Sequence, residues 1–296
     1  MNSIHRGRGP IVIGGVGGSG TRVVAMILSK FGFYIGNDLN RASDNLLYTL
    51  LFKRPKWFYK NCHNRKEIDI GINLFNKLML REETPSLGEL LFLLRAIGSM
   101  ALFGNNLRGS GKGLWPVMRM QRLLFAKKCV KSKYIGWGWK EPNSHLLIEN
   151  LADHFRDFRY IHTVRHGLDM AFSKNQQQLY NWGPLYGVQR PVSPSEEARA
   201  SLKYWIRVNE KVRNIGKQMG DDRFLSVNFD ELCVSPERGI RGLLSFLGIE
   251  VDQEVYQEAV RLPKTPSSTG RYRLQDIRQF DEEDLRLLPK FGFSVE

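Results

Sequence analysis

Three groups of residues in this 296-residue chain have the types and spacing to hold an anion. The first is Gly14-Gly15-Val16-Gly17-Gly18-Ser19-Gly20, five glycines in seven residues, followed by Thr21 and Arg22. Each glycine costs a regular element roughly 0.5–1 kcal/mol of backbone entropy, so a run of them belongs where the chain must turn tightly or approach a ligand. Ile11-Val12-Ile13 before the run reads as a buried strand, and Val23 to Lys30 after it as a helix. A glycine turn that opens a helix gathers bare N–H groups at the positive end of the helix dipole, which makes an anion site. The second group is Lys140, at the end of the strand-like stretch Tyr134 to Trp139. The third is Arg165, directly after the apolar run Arg159 to Val164, with Ser173 eight residues further on. An arginine fork matches a phosphate, and a serine hydroxyl adds a hydrogen bond.

The glycine run alone leaves the anion open. Gly15-Val16-Gly17-Gly18-Ser19-Gly20 satisfies the dinucleotide pattern GxGxxG, and Asp38 stands 18 positions after Gly20, where such a site needs a carboxylate for the ribose. Gly15 to Thr21 nearly satisfies the nucleotide-triphosphate loop, but Gly20 runs straight into Thr21 without the lysine between them. No Asp closes an apolar strand to hold a magnesium ion. Neither alternative uses Arg165, Ser173 or the late basic segment Ser268-Thr269-Gly270-Arg271-Tyr272-Arg273.

The elements that must position these groups alternate. Strands are predicted at 11–13, 33–35, 134–139, 159–164 and 224–227, with helices over 23–30, 143–155, 169–179, 195–219 and 235–247 between and after them. That order predicts a three-layer α/β fold with a central parallel sheet of about five strands, and in such sheets ligands sit beyond the C-terminal strand ends. Residues 45–130 are read as a mostly helical insertion in a single domain spanning 1–296, with helices at 46–52, about 70–80 and 86–103 and a loop at 104–113. Ser86-Leu87-Gly88-Glu89 carries a capping box. Trp57, Phe58, Trp115 and Trp182 are candidates for stacking on a ligand, against their commoner role in a core.

The net charge of +14 suits an acidic partner, yet no nucleic-acid module is present, and Lys127 to Lys133 reads as a solvated face. Cys62, Cys129 and Cys233 have neither metal nor disulfide spacing, so no metal is expected. No apolar window of about 20 residues marks a transmembrane helix. The polar stretch Met1 to Pro10 lacks a signal-peptide core, which points to the cytoplasm.

Several of these segments together resemble the sulfotransferases that use 3′-phosphoadenosine-5′-phosphosulfate (PAPS). Val16 to Thr21 looks like the family's phosphosulfate loop, and Arg165 with Ser173 like its 3′-phosphate segment. Trp139-Lys140-Glu141-Pro142 looks like its lysine-bearing strand end, and Val227 to Leu232 like the segment before its penultimate helix. The resemblance implies a P-loop-like architecture and transfer of a sulfuryl group from PAPS to a hydroxyl or amine. The acceptor would be a carbohydrate, a lipid or a small molecule, with 45–130 shaping its pocket. It implies donor contacts from Gly17, Gly18, Ser19, Gly20, Thr21, Arg22, Arg165, Ser173, Gly270, Arg271 and Arg273, with Phe229 near the adenine. It implies Asp44, then Asp38, as the general base, with Glu141 and His145 near the same cleft. The family loop usually has Lys or Arg where this chain has Gly18; Lys140, or Arg22, is then the catalytic cation. A Rossmann-type NAD(P)-dependent oxidoreductase and a non-catalytic nucleotide or polyanion binder are the alternatives.

Overall fold

A computed structural model describes residues 8–108, 111–119 and 133–295. Cys129 and nearly all of the Lys127–Lys133 run lie outside these residues. Five strands form one parallel sheet: β1 (Arg8–Gly15), β2 (Phe33–Tyr34), β3 (Gly136–Lys140), β4 (Arg159–Val164) and β5 (Phe224–Asn228), in the order β2-β3-β1-β4-β5. β3 therefore sits between β1 and β2. A dinucleotide fold pairs β1 with β2 directly, so the topology removes the Rossmann alternative.

Side chains alternate across β1 and feed two cores. Ile11 and Ile13 pack with α1 (Thr21–Lys30) on one face, while Val12 joins the other core with Trp139 and Tyr160. That second core is built by α2 (Leu46–Phe52), α3 (Pro55–Asn61), α4 (Arg65–Leu80) and α5 (Leu87–Phe103), with α6 (Ile148–His154), α7 (Gly167–Ala171), α8 (Gln177–Trp182) and the long α9 (Pro194–Met219). α10 (Phe229–Val234), α11 (Pro236–Leu247) and α12 (Gln253–Val260) close the first face, and a short α13 (Glu282–Leu285) follows. Helix starts follow their caps: Asn45 accepts from the Tyr48 N–H, Asn64 from the Glu67 N–H, and Ser86 with Glu89 forms the expected capping box.

Two predicted helices are broken. Residues 143–155 divide into a 3-10 turn, Pro142–Leu147, and α6. Residues 169–179 divide into α7 and α8. The cause of the second break is Gln176, whose buried Nε2 donates to the carbonyls of Met170, Ala171 and Ser173, the groups that a continuing helix would have used. Ser173 thus lies in a turn, not inside a helix.

Candidate functional site

β1, β3 and β4 end side by side, and their C-terminal loops line a cleft of about 570 Å³. β1 delivers the glycine turn. Gly20 caps α1 at φ 90°, with no side chain to occupy the first N–H groups and no acidic residue in the first turn. A Cβ on Gly20 would stand 2.1 Å from the Phe229 ring, so glycine there lets β1's turn lie flat against the start of α10. Gly18 has φ 96°, and its Cβ position is 3.3 Å from Met170 Cε. Both conditions put a long cationic side chain at this position under strain. Ser19 is fully buried, and its Oγ has no hydrogen-bond partner among the described residues. Gly17 N–H donates to Gln178 Oε1 (2.9 Å), and Gln178 Nε2 donates to Asn143 Oδ1 (2.9 Å), which ties the turn to the end of β3.

At the end of β3, Lys140 is buried and ion-paired with Asp44; its Nζ also donates to the Ala42 carbonyl (3.0 Å). Asn45 N–H donates to the Lys140 carbonyl (2.8 Å), so the loop 39–45 is stitched across the end of β3. Asp44 Oδ2 accepts from Asn40 Nδ2 (2.8 Å), and both Asp44 and Lys140 line the cleft. The next residue, Glu141, is fully buried; burial pushes its carboxyl up, opposed by Lys53, whose Nζ lies 3.9 Å away. Glu141 accepts from the Asn143 N–H and Nδ2. Lys53, just past α2, lines the cleft and donates to Gln177 Oε1 (3.3 Å).

At the end of β4, Arg165 is 5% exposed. Its Nη2 donates to Ser268 Oγ (3.0 Å) and Thr269 Oγ1 (3.3 Å), and the carboxylates of Asp169 and Asp230 lie 3.7 and 3.9 Å from it. Its Nε is buried with no hydrogen-bond partner. Asp169 in turn accepts from the N–H groups of Gly270 (2.8 Å) and Tyr272 (3.4 Å), so strand end and late basic loop form one assembly.

The cleft therefore gathers Gly17, Gly18, Gly20, Thr21, Arg22, Asp44, Lys140, Arg165 and Phe229. Gly270, Arg271, Arg273, Ser173 and Asp38 do not line it. Arg271 donates to the Ser268 and Phe172 carbonyls, and Arg273 stacks on Tyr272. Ser173 Oγ accepts from the Asn175 N–H (3.3 Å). Asp38 is ion-paired with Arg119. His145 is buried against the Tyr186 hydroxyl (2.8 Å), away from the cleft. Phe58 and Trp182 are core residues, Trp57 packs edge-on to Phe92, and Trp115 bonds the Gly111 carbonyl. Lys53, Gln178 and Asn143 are cleft residues with no local motif. The sequence around Lys53 offers only a cation pair, Lys53-Arg54, between an apolar run and Pro55, which is no motif.

Residues 10–253 match the model of a sulfotransferase family. No curated protein matches the sequence. Among solved structures, the sulfotransferase domain from the curacin biosynthetic pathway superposes with a TM-score of 0.51 at 16% identity, covering 97% of this chain and 99% of that one. The sulfotransferase domain of the olefin synthase from Synechococcus PCC 7002 gives 0.47 at 14% identity, over 100% and 99%. At such identities the structural likeness is one of fold; the family match, over most of the sequence, reaches further. A parallel sheet with a glycine turn at the end of its central strand, and a family model spanning that sheet and its flanking helices, lead to one conclusion: this chain belongs to the sulfotransferase family.

Proposed function

We propose that the chain transfers a sulfuryl group from PAPS to an acceptor hydroxyl or amine. One observation carries this reading: a single cleft joins the uncapped start of α1 at the glycine turn to Arg165 at the end of β4, whose buried Nε makes no hydrogen bond among the described residues. An uncapped helix start and a buried guanidinium on one cleft suit a ligand with an anionic group for each. PAPS fits: the turn would hold its phosphosulfate, and Arg165 with the Ser268 and Thr269 hydroxyls its 3′-phosphate. Bound there, it supplies an activated sulfuryl group and a bisphosphate leaving group.

The chain's own residues supply the rest. Asp44, on the cleft wall, takes the acceptor's proton, and Lys140 holds it in place. Positive charge is needed where the leaving phosphate becomes more negative. Gly18 cannot provide it, and Lys140 is held by Asp44 and the Ala42 carbonyl, its charge released only as Asp44 takes the proton. Lys53 and Arg22 line the same cleft and take that role, with Lys53 favoured because its counter-charge, Glu141, is pushed toward neutrality by burial. The helical stretch from 45 onward contributes Lys53 and Asn105 to the cleft, which supports its part in the acceptor side.

The test is differential melting. The product 3′-phosphoadenosine-5′-phosphate is expected to raise the melting temperature, and NAD or ATP much less, because a ligand of the folded state alone stabilises it. Arg165→Ala is expected to weaken bisphosphate binding roughly 10- to 100-fold, the worth of charge-assisted hydrogen bonds. A shift with NAD and none with the bisphosphate overturns the reading.

A further inference from the structure

α5 carries an outer face that none of the described residues covers. Leu87, Leu90, Leu91, Leu94 and Leu102 recur at helical spacing on one side and are 41–75% exposed. Gly98 and Ala101 lie on the same side, so the stripe runs some four turns, about 22 Å of helix, with Arg95, whose Nε donates to the Leu91 carbonyl (3.4 Å), as the cation at its edge. Gly113 N–H donates to the Ala101 carbonyl (3.2 Å), which sets Leu114 and Met118, 73% and 68% exposed, beside its C-terminal end. Scattered exposed leucines need no explanation; a continuous apolar stripe edged by a cation marks an interaction surface.

The chemistry at the C-terminal end of the stripe identifies the partner. A small pocket of about 80 Å³ opens there between α3 and α5, lined by Arg54, Lys56, Lys112, Ser99 and the backbone around Gly104. Three cations and no carboxylate line it. Arg54 is buried over the Trp57 and Phe92 rings (4.3 and 5.3 Å) with Glu67 acting on its charge, and its side-chain hydrogen bonds go to the Leu51 carbonyl. Lys56 Nζ stands 4.0 Å over the half-exposed Phe103 ring, at the join between pocket and stripe. An apolar strip ending in a cationic pocket matches the layering of a membrane surface, acyl chains beneath and phosphate beside. The chain's net charge of +14 acts in the same direction. Among the described residues no helix is long and apolar enough to cross a membrane, so the contact is a docking one.

We propose that the outer face of α5, with the Arg54–Lys56–Lys112 pocket, docks this protein on bilayers containing anionic phospholipid. Asn105, two residues beyond α5, lines the donor cleft, so docking brings the cleft mouth to the membrane side. The proposal does not depend on the identity of the sulfuryl donor.

Vesicle co-sedimentation of the full chain tests it. Binding to vesicles of phosphatidylcholine with about one-third phosphatidylglycerol is expected to exceed binding to pure phosphatidylcholine at least tenfold. Leu90→Asp/Leu94→Asp is expected to lose at least tenfold on the anionic vesicles, with unchanged circular dichroism; both positions are already exposed, so folding is preserved. Lys56→Glu/Lys112→Glu is expected to abolish the preference for anionic lipid. Three results overturn the proposal. One is vesicle binding that ignores both double variants, which reduces it to the overall charge. Another is a concentration-dependent dimer dissolved by Leu90→Asp/Leu94→Asp without vesicle binding, which makes the face a contact between copies. The third is loss of vesicle binding to millimolar inorganic phosphate with the stripe variant inert, which makes the pocket a site for free phosphate.

Discussion

Two single residues decide where the cleft can place positive charge. Gly18 is where a cation was expected, and its φ of 96° with Met170 Cε 3.3 Å from the Cβ position explains its absence. Restoring the cation is therefore expected to fail: Gly18→Lys places an L-residue at positive φ, a strain of about 1–2 kcal/mol, and forces Met170 aside. Thermal melting is expected to show the loss, and turnover should not rise. A gain in turnover with unchanged melting contradicts this account. Lys53 carries the opposite expectation. Lys53→Met is expected to lower turnover with PAPS about 10²- to 10³-fold, as loss of one preorganised charge does, while bisphosphate affinity changes far less. Equal losses in both would make Lys53 a binding group only. Lys53→Arg should recover part of the rate. Lys53 was not legible in the sequence: nothing near it is a motif, and it reaches the cleft only because α2 ends at Phe52 and the chain reverses before Pro55.

At the scale of elements, the late loop is held to α7 by Asp169, with Arg271 on the Phe172 carbonyl and Tyr272 stacked on His166 at the helix ends. Asp169 accepts from the Gly270 and Tyr272 N–H groups, and the loop's Ser268 and Thr269 hydroxyls then reach Arg165. Asp169→Ala leaves those N–H groups unsatisfied at about 1–3 kcal/mol for each buried one. Faster hydrogen exchange over 268–273, a lower melting temperature and a smaller bisphosphate-induced shift are the expected outcome. Exchange confined to its wild-type rate would mean the loop is held elsewhere. The same segment shows what local pattern can and cannot convey. The strand, glycine turn and helix at 8–30 were legible because each signal is local: apolar run, positive-φ glycines, apolar periodicity. The break at Ser173 was not, because it is made by the Gln176 side chain curling back onto three carbonyls and bonding Ser201 Oγ on α9, a contact 25 residues away in sequence. Ser173 was thus identified as a residue but misplaced as an element. The pairing of Arg165 with the loop at 268–273, about 100 residues distant, was read from resemblance and not from spacing.

For the molecule as a whole, the sheet's second core contains two histidines that burial keeps neutral. His162 on β4 sits between Tyr160, Phe224 and Asn209, its Nε2 2.7 Å from Asn209 Oδ1; burial pulls its pKa to about 4, against the Asn209 bond. His145 packs on Tyr186, and burial, with His162 and Lys211 nearby, pulls it to about 3. Unfolded histidine titrates near 6.5. Below that pH the unfolded chain binds protons that the folded chain refuses, so stability is full above about 6.5 and falls as pH drops toward 4. Each histidine contributes about 1.4 kcal/mol per pH unit in that window, roughly 2 kcal/mol by pH 5. Urea unfolding at pH 7.5 and 5 is expected to show this loss. His162→Gln should lower stability at pH 7.5, because the ring's packing goes, yet flatten the acid slope by about 1.4 kcal/mol per pH unit. An acid slope unchanged in both His162→Gln and His145→Gln would place the titration in surface carboxylates, and the neutral pair in the core would not be what sets the protein's acid limit.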